Sequence, residues 1–418
     1  MTFQHSKLSN GLRVLSERHE HIKSATLGVW IEAGAVYERD GERGLAHLLE
    51  HLVFKGTARR SMTQIAIAMD SLGGQMNAFT EREFVCYHVK VLAEQTPLAL
   101  ELLCDFVARP KLDGDDLELE RGVILEEIRS VEDAPEELIE DIWMETLWPR
   151  SRWGRAILGT EESVSALSVQ TLRDFRASHY SPRNLLVAAV GDVDHRKVVA
   201  LCEKFLGDLP ANGKAHCLPA APKSGAQDVI LPRETEQVHL CCGAPAYGST
   251  DPKRYAAWML DTILTGGYSS RLFQEIREKR GLCYNIGSLS GHYRSAGYWG
   301  VATSVAPREA AKVAGLISRE LRKVRDNGVT KSEWKRAQQM ARVNILLSEE
   351  SSSAQMSRIA RNELVLGRQK NSDEVLSELR NVSLDDIQGA AREIFDPANF
   401  VLAAIGPFDK GASLHVEL

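Results

Sequence analysis

The chain has 418 residues, more than one hydrophobic core usually accommodates, so we expect at least two domains. Hydrophobic residues make up 44% of it and charged residues 26%, which excludes a disordered or a fibrous chain. The formal net charge of -6 provides no broad basic surface, so neither nucleic acid nor an anionic membrane is expected as a partner.

Cysteine usage and the first residues bear on the compartment. The seven cysteines include no Cys-x-x-Cys pair, which argues against a disulfide framework and against a cysteine-based zinc site. Residues 1–11 carry neither the basic nor the apolar region of a secretory signal, and nowhere do 18 apolar residues run together. We therefore expect a cytoplasmic protein that is neither exported nor membrane-spanning.

Apolar patterns predict three strands in the first half of the chain. Residues 25–31 and 85–89 alternate between apolar and polar side chains, and residues 185–190 form a continuous apolar run. Long helical patterns separate these strands without a regular strand–helix alternation. This arrangement favours an α+β sandwich over a doubly wound parallel sheet.

Residues 44–54 predict a helix with a candidate metal site. One apolar face, expected to pack on the core, is formed by Leu45, Leu48, Leu49 and Leu52. At about 100° per residue, His47 and His51 lie one turn apart and can reach the same ion, with Glu50 beside them. Because the rest of the helix is apolar, burying these groups requires a partner, and we favour a metal over hydrogen bonds alone.

A second predicted helix, residues 117–131, offers the third ligand. Its broad apolar face contains Leu117, Val123, Ile124, Ile128 and Val131. Glu120 and Glu127 fall inside this face and are nearly aligned, whereas Glu126 points the opposite way. Glu127 is therefore the predicted ligand.

Two histidines and one carboxylate leave the fourth zinc position to water, which is typical of a catalytic zinc site. Zinc acidifies such a water and polarises a scissile carbonyl, which predicts hydrolysis. Glu50 is predicted to take the proton and later to pass it to the leaving amine. Glu120 is predicted to act just behind the ligands.

An internal repeat predicts a duplicated domain. Residues 168–191 align without gaps with residues 383–406 at a constant offset of 215, and each segment reads as helix, proline turn, strand and glycine. Four prolines and many small residues between the copies are typical of a semi-rigid linker. The predicted organisation is an N-terminal zinc-binding domain at 1–209, a linker at 210–233 and a homologous domain at 234–418.

The repeat also predicts that only the first copy binds metal. The offset places Thr262, Thr265 and Gly266 opposite His47, Glu50 and His51, and Arg342 opposite Glu127. None of these four residues offers a side chain that suits zinc. We therefore expect an inactive second domain.

One motif resembles the inverzincin signature of the pitrilysin, insulin-degrading enzyme and mitochondrial processing peptidase family: His47-Leu48-Leu49-Glu50-His51 followed by Glu127. The family spacing to the glutamate ligand is closely matched, and Glu120 matches a family glutamate seven residues earlier. The resemblance spans the chain and implies two α+β sandwich domains with mostly antiparallel sheets, one Zn²⁺ per chain and peptide hydrolysis. It also implies a homodimer that encloses a chamber.

Two further segments resemble substrate-binding parts of this family. Asn77-Ala78-Phe79-Thr80 is similar to the edge strand that pairs with bound peptide, with Asn77 contacting the peptide backbone. Residues 272–284 resemble the family's arginine and tyrosine segment. The corresponding pair here is Arg277 and Tyr284, and the tyrosine can stabilise the developing oxyanion.

Residues 265–271 resemble the family's glycine loop but are shorter than the loop of the processing peptidase's non-catalytic subunit. This difference argues against presequence processing.

Two alternatives remain from other functional classes. A catalytically idle structural subunit, like the respiratory-complex core proteins of this fold, is disfavoured because His47, Glu50, His51 and Glu127 are intact. A peptide-binding module with purely structural zinc requires a fourth protein ligand, and no cysteine or histidine is obviously placed to provide one. Both alternatives predict no turnover.

Overall fold

The computed structural model describes residues 2–211, 218–224, 228–409 and 411–418. These residues form two compact units, each built on one β-sheet. The first unit comprises the described residues of Met1–Arg129, Ala156–Pro219 and Ser348–Gln369. The second unit comprises those of Ser130–Arg155, Ala220–Leu347 and Lys370–Leu418.

The strands and helices alternate irregularly along the chain. The strands are β1 (Thr2–Lys7), β2 (Arg13–Arg18), β3 (Ser24–Ile31), β4 (Gln75–Thr80), β5 (Val85–Leu92), β6 (Leu185–Gly191), β7 (Val229–Pro232), β8 (Val238–Ala246), β9 (Cys283–His292), β10 (Gly297–Val305) and β11 (Val401–Gly406). The α-helices are α1 (Leu45–Leu52), α2 (Met62–Leu72), α3 (Thr96–Ala108), α4 (Gly114–Asp133), α5 (Pro135–Leu147), α6 (Glu161–Ala166), α7 (Val169–His179), α8 (His195–Leu206), α9 (Arg254–Thr265), α10 (Ala310–Asn327), α11 (Lys331–Ser348), α12 (Ser352–Arg361), α13 (Ser372–Asn381) and α14 (Leu384–Ile394). Shorter 3₁₀ or π turns are Ala35–Tyr37, Ala93–Gln95, Phe273–Glu278, Pro307–Glu309 and Asn362–Leu366.

The sheet of the first unit has the strand order β1-β2-β6-β3-β5-β4. Its strands pair antiparallel, except that β2 and β6 are parallel. Helix α3 packs on β3 and β5, and α12 packs on β6 and β3. Strand β6 lies in the middle of this sheet and is buried along its whole length. This burial explains why its sequence is an unbroken apolar run.

The sheet of the second unit has the order β7-β11-β8-β10-β9 and again one parallel pair, β7 with β11. Strands β2, β6, β3, β5 and β4 therefore correspond in order and direction to β7, β11, β8, β10 and β9. Helices α7 and α14, which precede β6 and β11, even begin alike. Ser168 and Ser383 occupy the same aligned position and accept hydrogen bonds from Thr171 N and Asp386 N.

Each half of the sequence contributes one helix to the unit that is built mainly from the other half. Helix α12 comes from the second half of the sequence but packs in the first unit, where Trp30 Nε1 donates to Met356 Sδ at 3.2 Å. Helix α5 comes from the first half but packs on β11 and β8, where Trp143 Nε1 donates to Val401 O at 3.3 Å. Each sheet therefore receives a covering helix from the other copy of the repeat.

The fold predicted from the sequence is confirmed: both units are α+β sandwiches of the same topology. The three predicted strands and both predicted helices are present. One assignment within α4 is wrong, because Val123, placed on the apolar face, is 47% exposed. The limits 1–209, 210–233 and 234–418 stay a prediction, and residues 212–217 and 225–227 of the linker lie outside the described residues.

Within the described ranges, no helix combines the length and the apolarity that crossing a bilayer requires.

Candidate metal centre

Helix α1 is fixed at its start and along its apolar face. Gly44, just before it, has φ of 86°, and a Cβ there would lie 2.4 Å from Leu158 O, so only glycine fits. The buried Glu38 carboxylate accepts hydrogen bonds from the backbone N–H groups of Gly44 and Ala46, and so caps the helix. The buried residues of the helix are Leu45, Ala46, Leu48, Leu49 and Leu52. His47, Glu50 and His51 are left half-buried on the remaining face.

The structure brings the three predicted ligands together. One side-chain atom each of His47, His51 and Glu127 lies within 4.8 Å of the other two. The two imidazole rings are 4.7 Å apart between centroids, and His47 Nε2 lies 3.9 Å from Glu127 Oε2. Helix α4 supplies Glu127, whose side chain is 42% exposed, whereas that of Glu126 is 72% exposed. The residues meet as predicted, and zinc binding by them stays a prediction.

The chemistry of this donor set fits zinc. Two imidazoles and one carboxylate form a common catalytic zinc site. Burial, and then the neighbouring His51, lowers the pKa of His47 to about 4, so this imidazole is neutral at pH 7, as a ligand must be. His47 Nδ1 is buried and has no hydrogen-bond partner among the described residues. Burial raises the pKa of Glu127, and His51 partly opposes this.

Glu50 is held by the neighbouring edge strand. Thr80 Oγ1, at the end of β4, donates a hydrogen bond of 2.5 Å to Glu50 Oε2. Burial raises the pKa of Glu50, as does Glu127, whereas the Thr80 bond and His51 lower it. A half-buried carboxylate with a raised pKa beside a candidate metal site is a candidate general base.

Glu120 lies behind His51 rather than among the ligand atoms. It is 3% exposed, and its Oε2 accepts a hydrogen bond of 2.9 Å from His51 Nδ1. Because a carboxylate only accepts, Nδ1 carries the proton and Nε2 is left free to bind a metal. Lys55 Nζ lies 2.5 Å from the other oxygen, Glu120 Oε1.

The predicted peptide-binding segment lies at the edge of the first sheet. Among the described residues, β4 pairs only with β5, so its other edge is unpaired. Asn77 is exposed, and its Oδ1 accepts a hydrogen bond from Ala78 N. Phe79 packs edge-on against Trp30 at 5.4 Å and fixes the strand to the core. An open edge of this kind can take an extended peptide as an added strand.

Arg277 and Tyr284 lie together in the second unit. The Arg277 guanidinium lies 4.7 Å from the Phe273 ring centroid and 5.8 Å from that of Tyr284, and it pairs with Glu278. Tyr284 is 88% exposed at the start of β9. Their contact with substrate stays a prediction.

Three contacts of the candidate site carried no signal in the sequence: the Glu38 cap, the Thr80 bond to Glu50 and the Lys55 contact with Glu120. Each joins segments whose proximity arises only on folding. An acidic residue upstream of a helix, or a lysine after it, is too common in sequences to be informative alone.

Comparisons with known proteins identify relatives of this chain by sequence and by fold. Residues 13–161 match the family described as insulinase (peptidase family M16), and residues 166–341 match the peptidase M16 inactive domain. An uncharacterized zinc protease of Streptomyces coelicolor is 38% identical over 420 residues, covering 99% of this chain and 91% of its own. One of Bacillus subtilis is 33% identical over 398 residues, covering 95% and 97%. A crystal structure of a protease from Helicobacter pylori has the same fold, with a TM-score of 0.91 at 22% identity over 97% of this chain and 99% of that one.

Proposed function

This chain belongs to the insulinase family, peptidase family M16, and on that premise we propose that it is a zinc-dependent metalloendopeptidase acting on peptides or unfolded polypeptide segments. The observation that carries the proposal is the convergence of His47, His51 and Glu127, with Glu50 beside them. The names of the relatives, zinc proteases, support the same metal and the same reaction.

His47, His51 and Glu127 would hold the zinc. When bound, zinc acidifies a water molecule and polarises the scissile carbonyl. Glu50 would accept the proton of the attacking water on its carboxylate and return it to the leaving amine. Burial raises its pKa above the ordinary carboxyl value, which makes the carboxylate a stronger proton acceptor. The Thr80 bond would keep this carboxylate in position between the two steps.

The substrate would bind as an extended strand along β4. Its backbone would pair with the open edge at Asn77, Ala78 and Phe79, which leaves sequence specificity to side-chain contacts. Arg277 and Tyr284 are proposed to contact the same peptide, as the family resemblance implies. The Tyr284 hydroxyl would donate a hydrogen bond to the developing oxyanion.

Two chains are proposed to form a homodimer that encloses the substrate, in the cytoplasm. Sedimentation velocity of the purified protein at micromolar concentration tests the assembly. A mass of two chains is expected, and a mass of one chain at every concentration would contradict the dimer.

The peptidase proposal is tested with Glu50→Gln, which keeps the shape of the side chain but removes the base. We expect both proteins to bind zinc and only the wild type to cleave a mixed peptide library, with the variant slower by about 10²–10⁴-fold. Glu50→Gln cleaving at the normal rate would contradict the mechanism. A wild type that binds zinc but cleaves no peptide would favour one of the two alternatives without turnover, the idle structural subunit or the peptide-binding module.

A further inference from the structure

Lys55 contacts the metal centre through Glu120. It follows α1 in the segment Phe54-Lys55-Gly56, and its Nζ lies 2.5 Å from Glu120 Oε1. The lysine side chain is 22% exposed and the Glu120 side chain 4%, so this is not a surface ion pair of negligible effect. The nearby charge of Asp116 also interacts with Lys55, but the direct contact is with Glu120.

Both oxygens of Glu120 are used, one on each side. Oε1 receives the Lys55 ammonium and Oε2 receives His51 Nδ1–H. A carboxylate buried this deeply needs a counter-charge, and an ion pair that loses one partner leaves the other charge buried alone. Removing the ammonium would therefore free Glu120 to turn away from His51.

The backbone around Lys55 is held against the segment that leads into α4, the helix of Glu120. Lys55 N donates to Leu52 O in the last turn of α1. Lys111 N donates to Gly56 O, and Ala58 N donates to Arg109 O, just before α4 begins. The lysine thus sits on a loop tied both to α1 and to the start of α4, so the distance from its backbone to Glu120 is fixed.

We propose that Lys55 is a positioning residue of the metal centre. Its ammonium fixes the Glu120 carboxylate, Glu120 fixes the protonated Nδ1 of His51, and Nε2 of His51 is thereby aimed at the metal. Partners of this kind behind a histidine ligand typically change metal affinity 10–100-fold when they are lost. This inference rests on the proposed zinc site and adds a residue to it.

The test measures zinc affinity by competition with a chromogenic chelator, and needs no enzymatic activity. Lys55→Met is expected to raise the zinc dissociation constant about 10–100-fold. Lys55→Arg, which keeps the charge and the donors, is expected to stay within a few-fold of the wild type. The matched control is Lys111→Met, which removes the exposed lysine paired with Asp113 at the start of α4 and should leave zinc affinity unchanged.

A double variant shows whether Lys55 acts through Glu120. Lys55→Met with Glu120→Gln leaves neither charge of this pair without its partner, so we expect it to fold even if Lys55→Met alone does not. We expect it to bind zinc as tightly as Glu120→Gln alone, because the second change has nothing left to act through. A further loss in the double variant, or Lys55→Met binding zinc like the wild type, overturns this inference and leaves the zinc site standing. A wild type without zinc overturns both.

Discussion

Helices α1 and α9 occupy corresponding places in the two units. Helix α1 follows β3 in the first unit, and α9 follows β8, the corresponding strand, in the second. In the aligned positions, α1 has His47, Glu50 and His51, whereas the second unit has Thr262 and Thr265 on α9 and Gly266 just after it. The two hydroxyls bond within their own helix: Thr262 Oγ1 donates to Trp258 O, and Thr265 Oγ1 donates to Asp261 O. The second unit thus satisfies its polar groups locally, whereas His47 Nδ1 in the first has no partner among the described residues.

The same contrast holds between α4 and α11. Glu127 on α4 is half-buried beside two histidines, and Arg342, its counterpart on α11, is exposed. Since the second sheet forms with the same topology without any of the four residues, the fold does not need them. Half-buried ionisable groups also cost free energy unless they are partnered. Their presence in the first unit is what the proposed zinc site would account for.

The largest effect is expected when the first unit is given a residue of the second. Glu127→Arg places the Arg342 side chain at the ligand position, and we expect zinc binding to vanish and peptide cleavage to fall by about 10³-fold or more. The position is half-exposed, so the free energy of unfolding of the metal-free protein should change by less than about 1 kcal/mol. The control is Glu126→Arg, one residue away on the exposed face. If Glu127→Arg binds as much zinc as Glu126→Arg and the wild type, Glu127 is not a ligand.

The start of the two helices differs as well. Gly44 before α1 has φ of 86°, whereas Lys253 before α9 has φ of -65°. Gly44→Ala would bring Cβ to 2.4 Å from Leu158 O, so we expect a loss of about 2–4 kcal/mol in urea unfolding and weaker zinc binding. Gly73→Ala, also at positive φ but with open space around it, should lose about 1 kcal/mol and no zinc affinity. Equal losses would show that the close approach at Gly44 is unimportant.

A smaller effect is expected at Thr80. Its hydrogen bond lowers the pKa of Glu50, so Thr80→Val raises that pKa. Because the base must be ionised, the acidic limb of the kcat/KM profile should move to higher pH, with about a 10-fold loss at pH 7 from the misplaced carboxylate. Thr80→Ser, which keeps the hydroxyl, should retain the wild-type limb. If the acidic limb of the Thr80→Val profile stays at the wild-type pH, the Thr80 hydrogen bond does not control the pKa of Glu50.

The smallest effect is expected in the second unit. Thr262→Ala and Thr265→Ala each remove a methyl group and a hydroxyl that bonds within its own helix, so the free energy of unfolding should change by no more than about 1 kcal/mol. Zinc content and cleavage rate should not change. Lower zinc content in either variant would mean that the second unit takes part in metal binding.

The meeting of His47, His51 and Glu127 could be predicted from the sequence because its signals are local. His47 and His51 are one helical turn apart, and Glu120 and Glu127 are two turns apart, so periodicity alone sets which side chains share a face. What brings the two helices together is not local, and the Thr80 bond to Glu50 and the Lys55 contact with Glu120 lie beyond such reasoning. Val123 was wrongly assigned to the buried face, because helical periodicity gives the direction of a side chain but not the width of the face that is buried.

The duplication could also be predicted from the sequence, but the placement of α5 and α12 in the unit built mainly from the other half could not. The aligned segments 168–191 and 383–406 predict the same helix, turn and strand, and α7–β6 and α14–β11 have them. An amphipathic pattern tells that α5 and α12 each bury a face, yet it carries no information on which of two similar sheets covers that face. The contacts of Trp143 and Met356 in the folded chain reveal the assignment.

The central claim is that zinc binds in the first unit alone, at His47, His51 and Glu127. The most direct measurement is the number of zinc ions per chain, by mass spectrometry of metal-loaded and desalted protein, for the wild type and for His51→Ala. We predict about one zinc for the wild type and none for the variant. A wild type with two zinc ions per chain, or a variant that keeps its zinc, would contradict the account.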